Sequence, residues 1–579
     1  METLSQAFAE RDAPQAGWQF WIDRGGTFTD VIGVSPEGRL HVRKVPSVDA
    51  AGGAGTADPG IAAARAILAS EGRGAPGAGR PRDAVTEVKV GTTVATNALL
   101  TRSGEPVVLV TTEGFADALR IGYQNRPDIF ARHIVLPEPL YASVIAAHER
   151  IAADGRVLTP LDEARLREEL VGARDAGYRA LAIVFLHGWQ HSRHERAAAA
   201  IARELGFAEV SVSHELSPLV RYVPRGDTTV LNAYLALPLR SYVAALAAQV
   251  RTLDGAARLA LMQSNGGLTA PETFHAMASV LSGPAGGLIG MQRVGERLGL
   301  PRLIGFDMGG TSTDVSLIDG ELPQRFEHTI AGVRLAQPML DVHSIAAGGG
   351  SILAFRDGRF AVGPDSAGAD PGPACYGRDG PLTLTDVQVL LGHLRPDTLP
   401  AVFGRDGHAR IEVAATSRKF AALAARAAAE TGVALSAEAL AASFLEVGVE
   451  AMANAIRQVS TRQGRDAGDF TLFCFGGAAG QHACRVARAA GIARILVHPL
   501  ASVLSAFGIG VADRLALRRA SLRRDLDAAG LGAAHERFAE LERAARVELA
   551  AAAGTRVPVL TARLLELRAG DSDVTLSVP

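Results

Sequence analysis

A chain of 579 residues with 48% hydrophobic content can bury a large core and is expected to form more than one domain. Its formal net charge of -2 offers no basic surface for nucleic acid or an acidic membrane, and no apolar run approaches the ~18 residues of a membrane span. The polar N-terminus, with Glu2, Glu10 and Asp12, is no secretory signal, and Cys375, Cys474 and Cys484 are too few for a disulfide framework, so a cytoplasmic, reducing setting is expected.

Residues 1–17 are polar and read as a flexible arm. Strands begin at Trp18. Trp21-Ile22 leads into Asp23-Arg24-Gly25-Gly26-Thr27-Phe28-Thr29-Asp30-Val31, and Ser35-Pro36-Glu37-Gly38 follows, which predicts strand, Gly-Gly bend, strand, tight turn, strand. A loop over 50–60 opens a helix at Ile61–Ser70, and a second loop, 72–82, precedes a strand at Glu87–Val90. Gly91-Thr92-Thr93 enters a helix running to about Arg102, and Val107–Thr111 is a strand. A charged helix over 161–176 is followed by Arg179–Leu186, an apolar run suited to a strand buried on both faces, and by a helix over 194–205.

The first pattern then returns. Asp307-Met308-Gly309-Gly310-Thr311-Ser312-Thr313-Asp314-Val315 matches the earlier nine residues at seven positions, between Leu303-Ile304-Gly305-Phe306 and the turn Asp319-Gly320. A helix over 436–463, a strand over 471–475, a Gly-rich turn over 476–480 and a helix over 481–490 complete the series. Strand alternating with helix predicts an α/β protein with largely parallel central strands. The repeat predicts two halves related by duplication, their hairpins opposed across a cleft.

Adjacent glycines let backbone N–H groups turn toward phosphate oxygens, so Gly25, Gly26, Gly309 and Gly310 are candidate phosphate contacts. Thr27, Thr29, Thr311 and Thr313 alternate along a strand and are expected to place hydroxyls on one face. Asp23 and Asp307 would repel a nucleotide unless a divalent cation lies between, and Mg2+ is typically held by one or two carboxylates plus phosphates. Asp23, Asp307, Thr27 and Thr311 are therefore the catalytic candidates, with ATP and Mg2+ as cofactors. Asp30 and Asp314, opposite the threonines in the alternation, read as structural. A single hairpin of this kind is as readily a plain turn; two near-identical copies favour function. Lys44, Lys89 and Lys419 are the only lysines and none follows a Gly-rich turn, which excludes a Walker-type P-loop. Phe473-Cys474-Phe475-Gly476-Gly477-Ala478-Ala479-Gly480 is a strand entering a helix through a Gly-rich bend; alone it is as readily simple strand–helix packing, but after two phosphate hairpins Gly476, Gly477 and Gly480 are the expected contacts to adenosine.

Two Asp-x-Gly-Gly-Thr hairpins followed by such a loop resemble the actin-like (ribonuclease H-like) ATPase superfamily. The wording of Trp18–Asp30, Gly91–Leu100, Ile121–Pro127, Leu340–His343 with Gly348–Ser351, Gly372–Gly377 and Gln481–Cys484 resembles the 5-oxoprolinase and hydantoinase A family over about residues 18–515. Gln124-Asn125-Arg126-Pro127 and Gly480-Gln481-His482-Ala483-Cys484 lean toward 5-oxoprolinase. Ala479 stands where the family has glycine, a mild departure if φ is negative there.

The resemblance implies ATP-dependent opening of a lactam, in which 5-oxo-L-proline, ATP and water give L-glutamate, ADP and phosphate. It divides the chain into the arm (1–17), an N-terminal domain (18–205), an A-type domain with the second hairpin and adenosine loop (206–515), and the start of a C-terminal domain (516–579). An A-type region phosphorylates the lactam and a B-type region hydrolyses it. No B-type region follows here, so a separate partner or a truncated product is expected, without unaided glutamate formation; a homo-oligomer is possible. The alternatives are the A subunit of a hydantoinase or of an acetone- or acetophenone-type carboxylase, and an inactive nucleotide-binding fragment. For the substrate, Thr92, Thr93, Thr96 and Asn97 crowd a helix start suited to an anion, although N-capping explains Thr92 or Thr93 equally. Arg126 is placed to pair with a carboxylate, or is a surface arginine. Asp341 and His343 share a strand face and suit a metal or substrate, or a structural role, while Cys375 and Cys484 read as inert thiols.

Overall fold

The computed structural model describes residues 17–47, 57–71, 84–124, 129–553, 558–570 and 575–579. The N-terminal arm, most of the two loops near 50–60 and 72–82, and Arg126 lie outside these.

Three antiparallel strands open the first half: β1 (Trp18–Arg24), β2 (Phe28–Val34) and β3 (Leu40–Pro46). The fully buried Trp18, Phe20 and Ile22 on one face and Trp21 on the other make β1 a central strand. Helix α1 (Pro59–Ser70) follows, started by Asp58, whose carboxylate accepts from Gly60 N at 2.9 Å. Next come β4 (Val85–Thr92) and α2 (Val94–Leu100). The chain then leaves this sheet to build a second one from β5 (Val107–Thr112), β6 (Tyr141–Ala147), β7 (Ala180–Val184) and β8 (Glu209–Val212), all parallel in the order β8-β7-β5-β6. The apolar run at β7 is buried throughout, as its composition requires. Helix α3 (Tyr222–Leu253) leads back to the first sheet, which β9 (Arg258–Met262) and β10 (Leu268–Thr269) complete in the order β10-β9-β4-β1-β2-β3.

Helix α4 (Ser282–Leu298) crosses to the second half, where β11 (Arg302–Met308) and β12 (Thr313–Asp319) form the repeated hairpin. The expected third strand departs from the repeat. β13 (Gln324–Ile330) does not extend the sheet but pairs with β14 (Val333–Leu340) in a separate ribbon, and β15 (His343–Ile345) takes the place beside β12. The ribbon is held instead by α3, through Arg334 Nε to Asp227 Oδ2 at 2.6 Å and Ala336 N to Thr228 Oγ1 at 2.9 Å. After α5 (Ala437–Arg462), β16 (Thr471–Phe475), α6 (Ala483–Ala490) and β17 (Arg494–Val497), the sheet reads β15-β12-β11-β16-β17. In strand rank both halves therefore share the order 3-2-1-4-5, with ranks 1, 4 and 5 parallel. The duplication is one of topology as well as wording.

The halves meet along α4 and α7 (Leu504–Val511). The two helices come so close that a Cβ on Gly508 would lie 1.8 Å from Gly286 O, so only glycine fits there. Helices α3 and α5 have the length and apolar content of membrane spans, unlike anything found among consecutive apolar residues, but 56% of each apolar window is buried inside the fold. Arg240 interrupts the apolar run in α3, and the buried residues of both helices belong to the core.

Candidate active site

The two bends close identically. Gly25 N donates to Phe28 O and Gly309 N to Ser312 O, each at 3.1 Å, which turns the intervening Gly26-Thr27 and Gly310-Thr311 outward. Gly26, Gly310 and Thr311 are exposed, and no atom lies within 4 Å of a Cβ built on Gly310. Both bends thus present backbone to open space.

Strand register places four carboxylates beside the bends. Asp23 pairs across the hairpin with Asp30, and Asp307 with Asp314, and directly opposed residues share one face. Burial, then the Asp30 charge, pushes the Asp23 carboxyl up to about 7, with Lys44 opposing. Asp307 is pushed well above the usual range, first by burial, then by Asp314, Asp23 and Asp30. The Asp23 and Asp30 charges of the first hairpin thus lie near enough to act on Asp307 of the second. Burial also raises Asp30 and Asp314. Asp23 Oδ1 is enclosed and has no hydrogen-bond partner, an arrangement expected to be costly unless something positive joins it. Asp30 and Asp314 are thus neighbours of the two candidate ligands rather than residues on the far face.

The threonines divide differently from expectation. Strand alternation starts only at Phe28, so Thr27 and Thr311 belong to the bends, whereas Thr29 and Thr313 are buried. The Thr29 hydroxyl is hydrogen-bonded with Ser47 Oγ at 2.9 Å, and that of Thr313 donates to Ala347 O. Neither hydroxyl is available to the cleft.

The third element converges on the second bend. Ala478 N donates to Met308 O at 2.9 Å, and Gly476, at φ +89°, packs so tightly that a Cβ there would lie 2.3 Å from Asp307 Oδ1. Gly477 and Gly480 face open space. Ala479 is buried in a short 3-10 turn and is not among the residues of positive φ, so alanine is accommodated. The run Gly348-Gly349-Gly350 joins the same point, with Gly349 N donating to Gly309 O at 3.1 Å and Gly350 N to Gly310 O at 2.6 Å.

Of the substrate candidates, Thr92 accepts from Val94 N at 3.2 Å, the capping alternative, and Thr93 Oγ1 donates to Arg24 O at 3.1 Å. Thr96 Oγ1 accepts from Leu281 N. Asn97 alone in this group is exposed, its Nδ2 3.8 Å from a Cβ built on Gly26. Asp341 and His343 lie apart from the bends. Asp341 faces Arg325 at 3.9 Å, and His343, lowered by burial and then by Arg462, is paired with Val315 in the sheet. Among the described residues, no group of three or more His, Cys, Asp or Glu is disposed to hold a metal by itself. Cys375 is buried and its thiol is raised by burial and Asp386, which keeps it inert; Cys484 is exposed.

One residue escaped the sequence reading. Lys44 of β3 pairs in register with Asp30, and its Nζ reaches Asp30 Oδ1 at 2.6 Å and Ser502 O at 3.3 Å. It is a counter-charge to Asp23, Asp30 and Asp307 alike. Its signal was the four-residue turn Ser35–Gly38, which sets that register.

A family model described as hydantoinase/oxoprolinase N-terminal region matches residues 19–206, and one described as hydantoinase/oxoprolinase matches 225–518. The chain is 39% identical over 524 residues to 5-oxoprolinase 1 of Arabidopsis thaliana, covering 86% of this chain and 41% of that protein. It is 33% identical over 513 residues to caprolactamase subunit alpha of Pseudomonas jessenii, covering 86% and 70%. The crystal structure of the ATP-dependent caprolactamase from the same organism superposes with a TM-score of 0.77 at 30% identity, over 97% of this chain and 80% of that one. The chain spans about two fifths of the length of the plant relative.

Proposed function

Because the chain belongs to the hydantoinase/oxoprolinase family, we propose that it is the ATP-using, lactam-activating part of a 5-oxoprolinase. The observation that carries the reading is the pair of neighbouring carboxylates, Asp23 and Asp307, half-buried beside twin Gly-Gly bends. ATP would lie between the halves, its phosphates against the outward N–H groups of Gly26-Thr27 and Gly310-Thr311 and its adenosine near Gly476, Gly477 and Gly480. Asp23 and Asp307 fit Mg2+: two oxygen donors, one lacking any partner, is the protein share that this ion needs alongside phosphates. When bound, the ion supplies charge neutralisation for the phosphates and for both carboxylates.

An amide carbonyl is a weak electrophile, and phosphoryl transfer needs chiefly positioning and electrostatic stabilisation. The lactam oxygen would form a bond to the γ-phosphorus as the bond to the ADP oxygen breaks, leaving ADP. Water adds to the ring carbon that now bears the phosphate and the C–N bond breaks, giving an acyl phosphate; a second water then attacks that carbon, and phosphate departs with the former lactam carbonyl oxygen, leaving L-glutamate. The hairpins and Lys44 serve the first stage. The second we assign to a B-type region or subunit, a reading supported by the part of the plant relative beyond this chain's match and by a relative named as a subunit alpha.

The test is ADP release from the purified chain with 5-oxo-L-proline, hydantoin and acetone side by side. Stimulation by 5-oxo-L-proline above the others, lost in Asp23→Asn and Asp307→Asn, is expected; equal response to all three, or ketone preference, would replace the reading with a carboxylase one.

A further inference from the structure

The two hairpins differ at one charged position. Arg24 follows Asp23, whereas Met308 follows Asp307, and Met308 is wholly buried core. The bend closes identically in both copies, so closure does not require the arginine. Arg24 instead lines a cavity of about 180 Å³ with Ser47, Asp58, Tyr242 and Gln249. Its guanidinium lies over the Tyr242 ring at 4.9 Å and approaches Asp58 through Nε at 3.5 Å. A guanidinium carries five donors in a fixed fork, and the 3.5 Å approach of Nε to Asp58 is too long to be a strong bond. Asp58 is itself occupied, capping α1 through Oδ1 and approached by the Tyr242 hydroxyl at 3.4 Å from Oδ2. A guanidinium stacked on an aromatic ring and steadied at one edge is pre-organised for bidentate pairing with a carboxylate.

The cavity touches the phosphate bend directly. Ser47 Oγ donates to Gly25 O at 2.7 Å and Ser47 N to Thr27 O at 2.9 Å. A small molecule anchored at Arg24 therefore lies one residue from the backbone that would hold the γ-phosphate. We propose that this cavity recognises the carboxylate of a small cyclic amide, with Arg24 as the specificity-determining residue. The inference rests on the lactam-activating reading and adds to it the feature that separates 5-oxoproline from uncharged lactams.

The test is calorimetric titration of the full chain, in the presence of Mg2+ and a non-hydrolysable ATP analogue, with 5-oxo-L-proline and with 2-pyrrolidone, the same ring without the carboxylate. Wild type is expected to prefer 5-oxo-L-proline by about 10- to 100-fold, the range for a hydrogen-bonded charge pair. In Arg24→Met, which installs the residue of the second hairpin, that ratio falls toward one, and Arg24→Lys lies between them. Thermal melting near the wild-type temperature identifies variants that are folded; if Arg24→Met is not, Arg24→Lys decides. A wild-type chain binding both ligands equally, or a preference that survives both substitutions, overturns the carboxylate site while leaving lactam activation intact. Binding of neither ligand overturns both.

Discussion

Replacing Gly476 with alanine should damage the site more than replacing its neighbour Gly477. A Cβ on Gly476 would stand 2.3 Å from Asp307 Oδ1, 2.6 Å from Met308 O and 2.8 Å from Met308 N, all closer than real side chains approach. Two of these atoms are backbone and cannot swing away, so the strand end or the Asp307 carboxylate must move. The residue also sits at φ +89°, which costs a non-glycine residue roughly 1–2 kcal/mol. Overpacking adds about 1–3 kcal/mol. The expected loss of stability is therefore roughly 2–5 kcal/mol. Because the displaced group is the proposed Mg2+ ligand, affinity for Mg-ATP should fall by more than about tenfold, the effect of ~1.4 kcal/mol. Gly477 has ordinary φ and open space around its Cβ, so Gly477→Ala should keep the wild-type melting temperature. Differential scanning calorimetry and nucleotide titration compare the two. Equal melting of both variants, or wild-type Mg-ATP affinity in Gly476→Ala, would refute the packing argument.

Asp23 gives a pH signature: its folded value near 7 lies above the unfolded 3.8, so the folded chain holds a proton that the unfolded chain has released. Stability of the nucleotide-free chain should decline as pH rises from about 4 through 7, and Asp23→Asn should stabilise it at pH ~8 more than at pH ~5, read by urea unfolding. An unchanged pH slope in the variant would count against the buried charge. Lys44→Met should weaken Mg-ATP binding about tenfold by deepening the carboxylate repulsion, with Lys44→Arg restoring much of it in the same titration. Beside the second sheet, the buried Glu195 of the helix Arg193–Glu204 accepts from Phe185 N at 2.9 Å, Ser213 Oγ at 2.6 Å and His214 Nδ1 at 2.7 Å, with Arg225 Nη1 at 3.4 Å. Arg225→Met should destabilise the chain by about 3–5 kcal/mol, because it removes one partner of a buried ion pair and the donors to Phe185 O and Leu186 O; an unchanged denaturant midpoint would contradict this.

Much of this architecture was legible because its signals are local. Trp18–Asp30 and Leu303–Val315 carry strand alternation and glycine bends within a few residues, and both hairpins form as read. What failed depends on distant partners. Asp319-Gly320 signals a turn, but nothing near it says that β13 will pair with β14 against α3, leaving β15 to join the sheet. Helix α3 shows little amphipathic pattern because much of its first half is buried on all sides, and Pro238 breaks its propensity. Thr29 and Thr313 were read by alternation alone, which shows that they share a face but not that Ser47 and Ala347 O already occupy it. In the sequence Arg24 is one letter of a repeated motif, and its setting depends on Tyr242 and Asp58, which lie far along the chain.

The most direct measurement of the central claim follows the lactam carbonyl oxygen. With 5-oxo-L-proline carrying 18O in its lactam carbonyl, the purified chain, alone and with a B-type partner, is supplied with Mg-ATP and the released phosphate is examined by mass spectrometry. Lactam activation predicts one 18O atom in each phosphate released in response to 5-oxo-L-proline, and loss of that signal in Asp23→Asn and Asp307→Asn. Substrate-dependent phosphate that contains no label would show that ATP is cleaved by water rather than by the lactam, and would contradict the account.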